Sequence, residues 1–318
     1  MSTSGTLRYD GYLSNVALSY PTGSLIGTQV APLIPADNFS DYLFVDADDA
    51  IEQMNDYAED TAANEVDFTT GDAYSYRSFR YALSGTISDK KLKNASKSKV
   101  VRLEQRETNK LVHRLRLKHE VRVAAIMKNT AKVTNFTNVN SVVNACLNET
   151  APTLEADIVT AVNSIYNKTG AKANTIVIPF EAATYAAKIA FIKDIVKYIH
   201  GLEYVQGKLP GAVHALVGLP PFIKGLRVVI ADGRKNDADK GETASKSNIW
   251  GDDILIGYVP QNSYVDDMLG IATMEHEQLR VSKERKTDPR GTRIVVEWDY
   301  DIVEANLDCW YLLQDVIA

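Results

Sequence analysis

Between residues 98 and 129 the sequence carries an uninterrupted helical pattern. Ser98 can cap its start, and no Pro or Gly breaks the next thirty positions. Val101, Val112, Leu115, Val123 and Ile126 recur on or near one face, with Thr108 and His119 filling gaps in the stripe. The other faces carry Arg102, Arg106, Lys110, Arg114, Arg116, Lys118 and Arg122. At 1.5 Å per residue such a helix is about 45 Å long, a spine across a domain.

A second clean pattern closes the chain. Ile294, Val296, Trp298, Tyr300 and Ile302 alternate with Glu297, Asp299 and Asp301, the period of a strand with one dry face. Glu277–Lys286 leads into it through a turn at Thr287-Asp288-Pro289-Arg290-Gly291. Residues 150–262 predict an α/β unit. Its pieces are an amphipathic helix over Thr153–Asn167 with Gly170 as C-cap, and a short buried strand at Asn174–Ile178. Helical stretches around Glu181–Phe191 and Lys193–His200 follow, then a strand at Gly225–Ile230. A polar loop over Asp232–Asn248 precedes a return to strand at Trp250 and Ile254–Val259.

The first 42 residues hold Pro21, Pro32, Pro35, several glycines and no sustained helical period, so they predict an extended arm. Tyr9, Tyr12, Tyr20 and Tyr42 punctuate it. Tyrosine offers a broad contact area with a wet end, which suits an interface between molecules, although the same rings can pack on the arm's own domain. Residues 43–88 alternate acidic patches with strand-like pieces, and Tyr74, Tyr76, Phe79 and Tyr81 lie near period two. A two-stranded ribbon fits this stretch. Alone it buries too little apolar surface, so it has to rest on something else.

Composition adds a folded chain of one large or two modest domains: 318 residues, 45% hydrophobic and 24% charged. Cys146 and Cys309 lie far apart without metal-ligand spacing and read as buried thiols of a reducing cytosol. No signal-peptide pattern follows Met1, and no apolar run approaches the roughly 20 residues of a membrane span. The net charge of −6 conceals a steep asymmetry. Residues 37–72 hold twelve acids and no Lys or Arg, among them Asp46, Asp48, Asp49, Asp56, Glu59 and Asp60. Residues 77–132 hold sixteen Lys and Arg against four acids, so the two stretches carry −12 and +12. The two stretches read either as solvated faces or as partners, the acidic ribbon of one subunit over the basic spine of the next, with Arg102, Arg106 and Arg114 as contacts.

Signatures of catalysis and metal binding fail on inspection. The stretch from Gly201 to Gly207-Lys208-Leu209 resembles a phosphate-binding loop, but five residues separate the glycines and Leu stands where a magnesium-binding hydroxyl is required. Asp237-Ala238-Asp239-Lys240-Gly241 puts Ala and Lys where a calcium loop needs ligands, and Asp46-Ala47-Asp48-Asp49 lacks the turn glycine. His113 and His119 stand six apart, off a common helical face, and His276 alternates away from Glu275 and Glu277. No GxSxG elbow occurs. The expectation is a non-enzyme with no catalytic, cofactor or metal residues.

The order is arm, acidic ribbon, basic spine, α/β unit, terminal hairpin. With Val30-Ala31-Pro32-Leu33-Ile34-Pro35 and Lys168-Thr169-Gly170-Ala171-Lys172-Ala173-Asn174-Thr175-Ile176-Val177-Ile178, it resembles the major capsid proteins of tailed bacteriophages, of the Hong Kong ninety-seven phage fold. Gly241-Glu242-Thr243-Ala244-Ser245 before Ile249-Trp250-Gly251, and Lys286-Thr287-Asp288-Pro289, carry the same likeness. The resemblance implies an α+β fold. Residues 1–42 would be the N-terminal arm and 43–88 the extended loop reaching onto a neighbour. Residues 89–149 and 263–318 would form a peripheral domain with the spine at about 98–129, and 150–262 an axial domain around five-fold and six-fold axes.

It further implies self-assembly through pentamers and hexamers into an icosahedral head in the virion, built in the host bacterial cytoplasm around double-stranded DNA. The DNA would be held non-specifically, with a portal as a further partner and no membrane. Nothing ahead of the arm resembles a fused scaffolding region, so the scaffolding protein is expected to be separate or absent. The namesake of the fold joins its subunits covalently through a lysine of the extended loop; no lysine precedes Lys90 here, so non-covalent contacts are expected. Two other readings stay open. One is a cellular encapsulating shell of the same fold around a protein cargo. The other is a nucleic-acid-binding protein using the basic helix, disfavoured by the few aromatics interleaved there.

Overall fold

The structure, a computed structural model, describes residues 9–20, 25–45, 72–94, 97–139, 146–147, 152–205, 218–238, 242–260, 269–288 and 290–317. One helix organises them. The expected spine is present as a 31-residue helix, Lys97–Met127, about 46 Å long. Its first half lies on one sheet and its second half enters the core of another. Leu111, Val112 and Leu115 pack with the terminal hairpin, whereas Val123, Ala124 and Met127 belong to the larger core. Val101, expected on the buried stripe, is 42% exposed, because the helix overhangs its sheet at that end.

The helices are α1 (Gly11–Leu18), α2 (Gly27–Val30), α3 (Asp89–Lys93), the spine α4, α5 (Leu154–Thr169), α6 (Phe180–Ala186) and α7 (Ala190–Val205). The first sheet takes the order β1 (Leu33–Pro35), β12 (Ile271–Thr287), β13 (Arg290–Glu304), β4 (Phe79–Ser88). The β12–β13 hairpin is its body, and the period-two reading of β13 holds: Ile294, Val296, Trp298 and Tyr300 are all buried against α1 and α4. The opposite face departs from expectation. Asp299, read as one of a solvent-facing row of acids, is 2% exposed because Arg80 of β4 lies over it.

A two-stranded ribbon, β2 (Ser40–Val45) with β3 (Asp72–Arg77), rises beside this sheet. Leu43 and Tyr76 turn inward onto Ile34, Ala272, Met274 and Val303, so the root of the ribbon rests on its own subunit. The stretch expected to form the loop ends at β3 rather than at residue 88. Ser78 breaks the run, and β4 beyond it is an integral strand of the sheet.

The arm is not extended throughout. Asp10 caps α1 by accepting from the Leu13 amide, and Leu13 and Ala17 bury against α4 and the hairpin. Tyr9, Tyr12 and Tyr42 remain open at 42%, 55% and 60% exposure, while Tyr20 packs with the subunit's own core.

The second sheet has the order β5 (Phe136–Asn138), β14 (Trp310–Gln314), β11 (Ile254–Gly257), β6 (Thr175–Pro179), β8 (Leu226–Ala231), β7 (Phe222–Ile223). Most of its α/β elements fall where the pattern puts them. The exceptions are Trp250, read as strand, which lies in a bend, and the stretch Glu181–Phe191, which breaks between α6 and α7. Gly170 closes α5 at φ 70°, a left-handed position that glycine occupies without strain. The polar loop holds a small hairpin, β9 (Arg234–Asn236) with β10 (Lys246–Asn248). Two strands come from outside residues 150–262, β5 and the chain's last strand, β14. Trp310 of β14 is fully buried opposite Gly257, where a Cβ would stand 2.3 Å from the indole.

Candidate assembly surface

The outward face of α4 is a cationic strip. Lys99, Arg102, Arg106, Lys110, Arg114 and Lys118 share one side of the helix at three- and four-residue spacings, and all six are exposed. Lys110 pairs with Glu107 of its own helix at 2.9 Å. The other five have no acidic partner among the described residues. Lys90 and Lys91 of α3 join Lys99, Arg102 and Arg106 around a groove of about 590 Å³ floored by Leu103. Of the sequence-derived contact residues, Arg102, Arg106 and Arg114 therefore lie together on open surface. Asp46, Asp48, Asp49, Asp56, Glu59 and Asp60 lie outside the described residues.

Basic residues turned inward are committed. Arg116 donates to the Tyr20 carbonyl at 2.6 Å and Arg122 to the Tyr81 hydroxyl at 2.6 Å. Lys128 stands 3.8 Å from Asp253. Arg80 grips Asp299 with both Nε and Nη2 at 2.9–3.0 Å and reaches Glu277 at 3.0 Å. The split is physical: buried acids, a carbonyl and a hydroxyl answer the cations on the inner side, and the outer strip is left with surplus charge.

One polar node ties the arm, the spine and both sheets together. Glu120 is 1% exposed, accepts from the Trp250 indole N–H at 2.6 Å through Oε1, and accepts from the Gly27 amide through Oε2. Burial pushes its carboxyl above the usual range, and the N–H groups of Trp250, Ile26 and Gly27 partly offset that shift. A Cβ at Gly27 would stand 2.7 Å from Oε2, so only glycine lets the arm approach. Next along the helix, His119 bonds Thr273 Oγ1 at 2.8 Å between Trp298 and Tyr300; burial, helped by Arg122, holds its imidazole down at about 3. Sequence reading assigned His119 to the stripe but gave no signal of Glu120, whose partners are remote in the chain.

Candidate chemistry is sparse. His113 lies on Tyr20, and His276 meets the Ala36 carbonyl at 3.2 Å. Cys146 and Cys309 are buried and form no disulfide with each other, and burial pushes the Cys146 thiol up. Asp252, Asp253 and Asp315 have oxygens within 4.8 Å of one another, with the Lys128 ammonium answering part of their charge. No helix among the described residues is long and apolar enough to cross a membrane.

No protein-family model matches the sequence, and no curated protein matches it. Solved structures do. A phage-related protein from Bordetella bronchiseptica RB50 superposes at TM-score 0.70 and 19% identity, covering 98% of this chain and 99% of that one. The capsid of the cyanophage P-SCSP1u gives TM-score 0.54 at 12% identity over 90% and 86% of the two chains. A virus-like particle from Pyrococcus furiosus gives 0.54 at 8% identity over 95% and 98%. The fold is that of phage major capsid structures, as the resemblance implied.

Proposed function

We propose that the chain is the major capsid protein of a tailed bacteriophage, assembling through pentamers and hexamers into the icosahedral head that encloses double-stranded DNA. The observation that carries this reading is likeness over 90% of this chain and 86% of a cyanophage capsid chain, beside likeness over 98% and 99% to a phage-related protein. In its terms, residues before β2 are the N-terminal arm, and the stretch from β2 to β3 is the extended loop. Strands β4, β12 and β13 with α4 are the peripheral domain, on which α1 and β1 of the arm pack; the second sheet with its helices is the axial domain. A portal and a separate scaffolding protein complete the expected partners. The shell would belong to the virion and be built in the host cytoplasm, with no catalytic role.

Complementary charge supports a specific contact. The acidic stretch of one subunit lies over the cationic strip of the next, meeting Arg102, Arg106 and Arg114. Each exposed pair contributes only about 0–1 kcal/mol, yet many such pairs fix register and steer encounter. A shell other than a phage head, closed around protein cargo, is the second reading, since a virus-like particle superposes at the same TM-score of 0.54 as the cyanophage capsid. The contents separate the two: nucleic acid or a protein.

Sedimentation velocity on the purified chain tests the proposal. A fast, sharply bounded species should stand beside the 35.1 kDa subunit. It should recede at 1 M salt, where the screening length is about 3 Å, and vanish in Arg102→Glu/Arg106→Glu/Arg114→Glu with the subunit still folded. Subunit alone at every concentration, also when co-expressed with its neighbouring head genes, would contradict the shell, and unimpaired assembly of the triple variant would contradict the charge contact.

A further inference from the structure

The outer edge of β4 is open. Among the described residues no strand pairs with it, although β4 follows β13 without a register shift from Phe79 to Ser88. Sheet edges in soluble proteins are normally guarded by lysine, proline, a bulge or an inward charge. β4 has no lysine, proline, acid or bulge. Its one charged residue, Arg80, is held by Asp299 and Glu277. Phe79 and Leu83 lie bare along it at 48% and 36% exposure.

The two ends of this edge are positive. Arg77 stands at one, its guanidinium 6.0 Å from the Phe39 ring and 5.9 Å from the Phe79 ring and in no ion pair among the described residues, while its backbone N–H donates to Asp301 at 3.1 Å. Lys90 and Lys91 stand just past the other. Pairing β4 with the β4 of a second copy, antiparallel about its centre, would set Arg77 against Lys90 and Lys91. An incoming strand of opposite charge meets no such penalty, and this chain's own 37–72 stretch carries twelve acids and no cation.

We propose that β4 is a strand-acceptor edge, completed in the assembly by an extended acidic strand from a second copy of this chain. The inference rests on the shell reading and deepens it: backbone hydrogen bonds would fix the register that charge alone leaves loose.

Hydrogen–deuterium exchange on the unassembled and assembled protein tests it. The half of the β4 amides that point outward should exchange fast in the subunit and become protected on assembly. Ala82 is exposed on this strand, so Ala82→Glu should raise the assembly threshold about tenfold by like-charge repulsion while Ala82→Lys leaves it unchanged or lower. Shells whose β4 amides stay as fast as in the subunit would overturn the edge pairing and leave the shell reading standing. Equal effects of Glu and Lys would overturn the acidic strand as occupant. A chain that never assembles would take both readings down.

Discussion

The Trp250 indole N–H meets Glu120 Oε1 at 2.6 Å, joining the spine to the loop before β11 across 130 residues of sequence. With the Gly27 amide on the other oxygen, one buried carboxylate joins three segments remote in sequence that share one core. Trp250→Phe keeps a ring in place but removes a donor to a charged acceptor, so it should cost about 1.5–3 kcal/mol. Urea unfolding measures this. An unchanged midpoint would mean that the node carries no stability.

The neighbouring His119 sets a pH dependence. Its imidazole is held at about 3 in the fold against 6.5 ordinarily. The unfolded chain therefore takes up a proton below about pH 6.5 that the folded chain refuses. Stability should fall with pH from there toward pH 3, by at most about 1.4 kcal/mol per unit. Glu120, Glu275 and Asp253, all raised by burial, act oppositely and favour the fold as pH drops. His119→Gln removes only the first contribution, so from pH 6.5 down to 4.5 the variant should lose less stability than the parent does, or gain more. Parallel curves would rule out His119 as the cause.

Much of this was legible in the sequence and some was not, for reasons that residues make plain. The spine and β13 carry long regular periods, and each turned up within a residue or two of its reading. The run Trp310-Tyr-Leu-Leu-Gln314 has no period, because a strand buried on both faces needs none, and so the sequence put it with the terminal β region without showing that it joins the second sheet. In α1 eight residues begin at a glycine and owe their helix to the Asp10 cap and to packing, neither visible as periodicity. Asp299 read as solvent-facing because alternation reports which face a residue takes, not what covers that face. Glu120 had no local signal, since its donors lie 93 and 130 residues away.

Arg80→Ala should remove the cation from Asp299 and uncover it to water; with the Arg80 side chain itself about half exposed, the cost should be about 1–3 kcal/mol. Chemical denaturation of the double variant Arg80→Ala/Asp299→Ala should show part of that loss recovered. A double variant as unstable as the sum of the singles would show that the pair is not coupled.

The packing of the arm predicts that it cannot be trimmed freely. Deleting residues 1–31 removes Leu13, Ala17, Leu25, Ile26, Val30 and Ala31, each at most 4% exposed. Large buried side chains cost about 2–5 kcal/mol apiece when truncated, so the remainder should fail to fold. Near-ultraviolet circular dichroism decides it: a native-like tryptophan spectrum with cooperative melting would contradict the arm's role in the core.

Cryo-electron microscopy of the purified chain tests the central claim most directly. The account predicts closed icosahedral shells of uniform diameter, with subunits gathered in fives and sixes and the acidic stretch of each lying on a neighbour's α4 strip. Monodisperse subunits under all assembly conditions, or shells in which Arg102, Arg106 and Arg114 face open solvent, would contradict it.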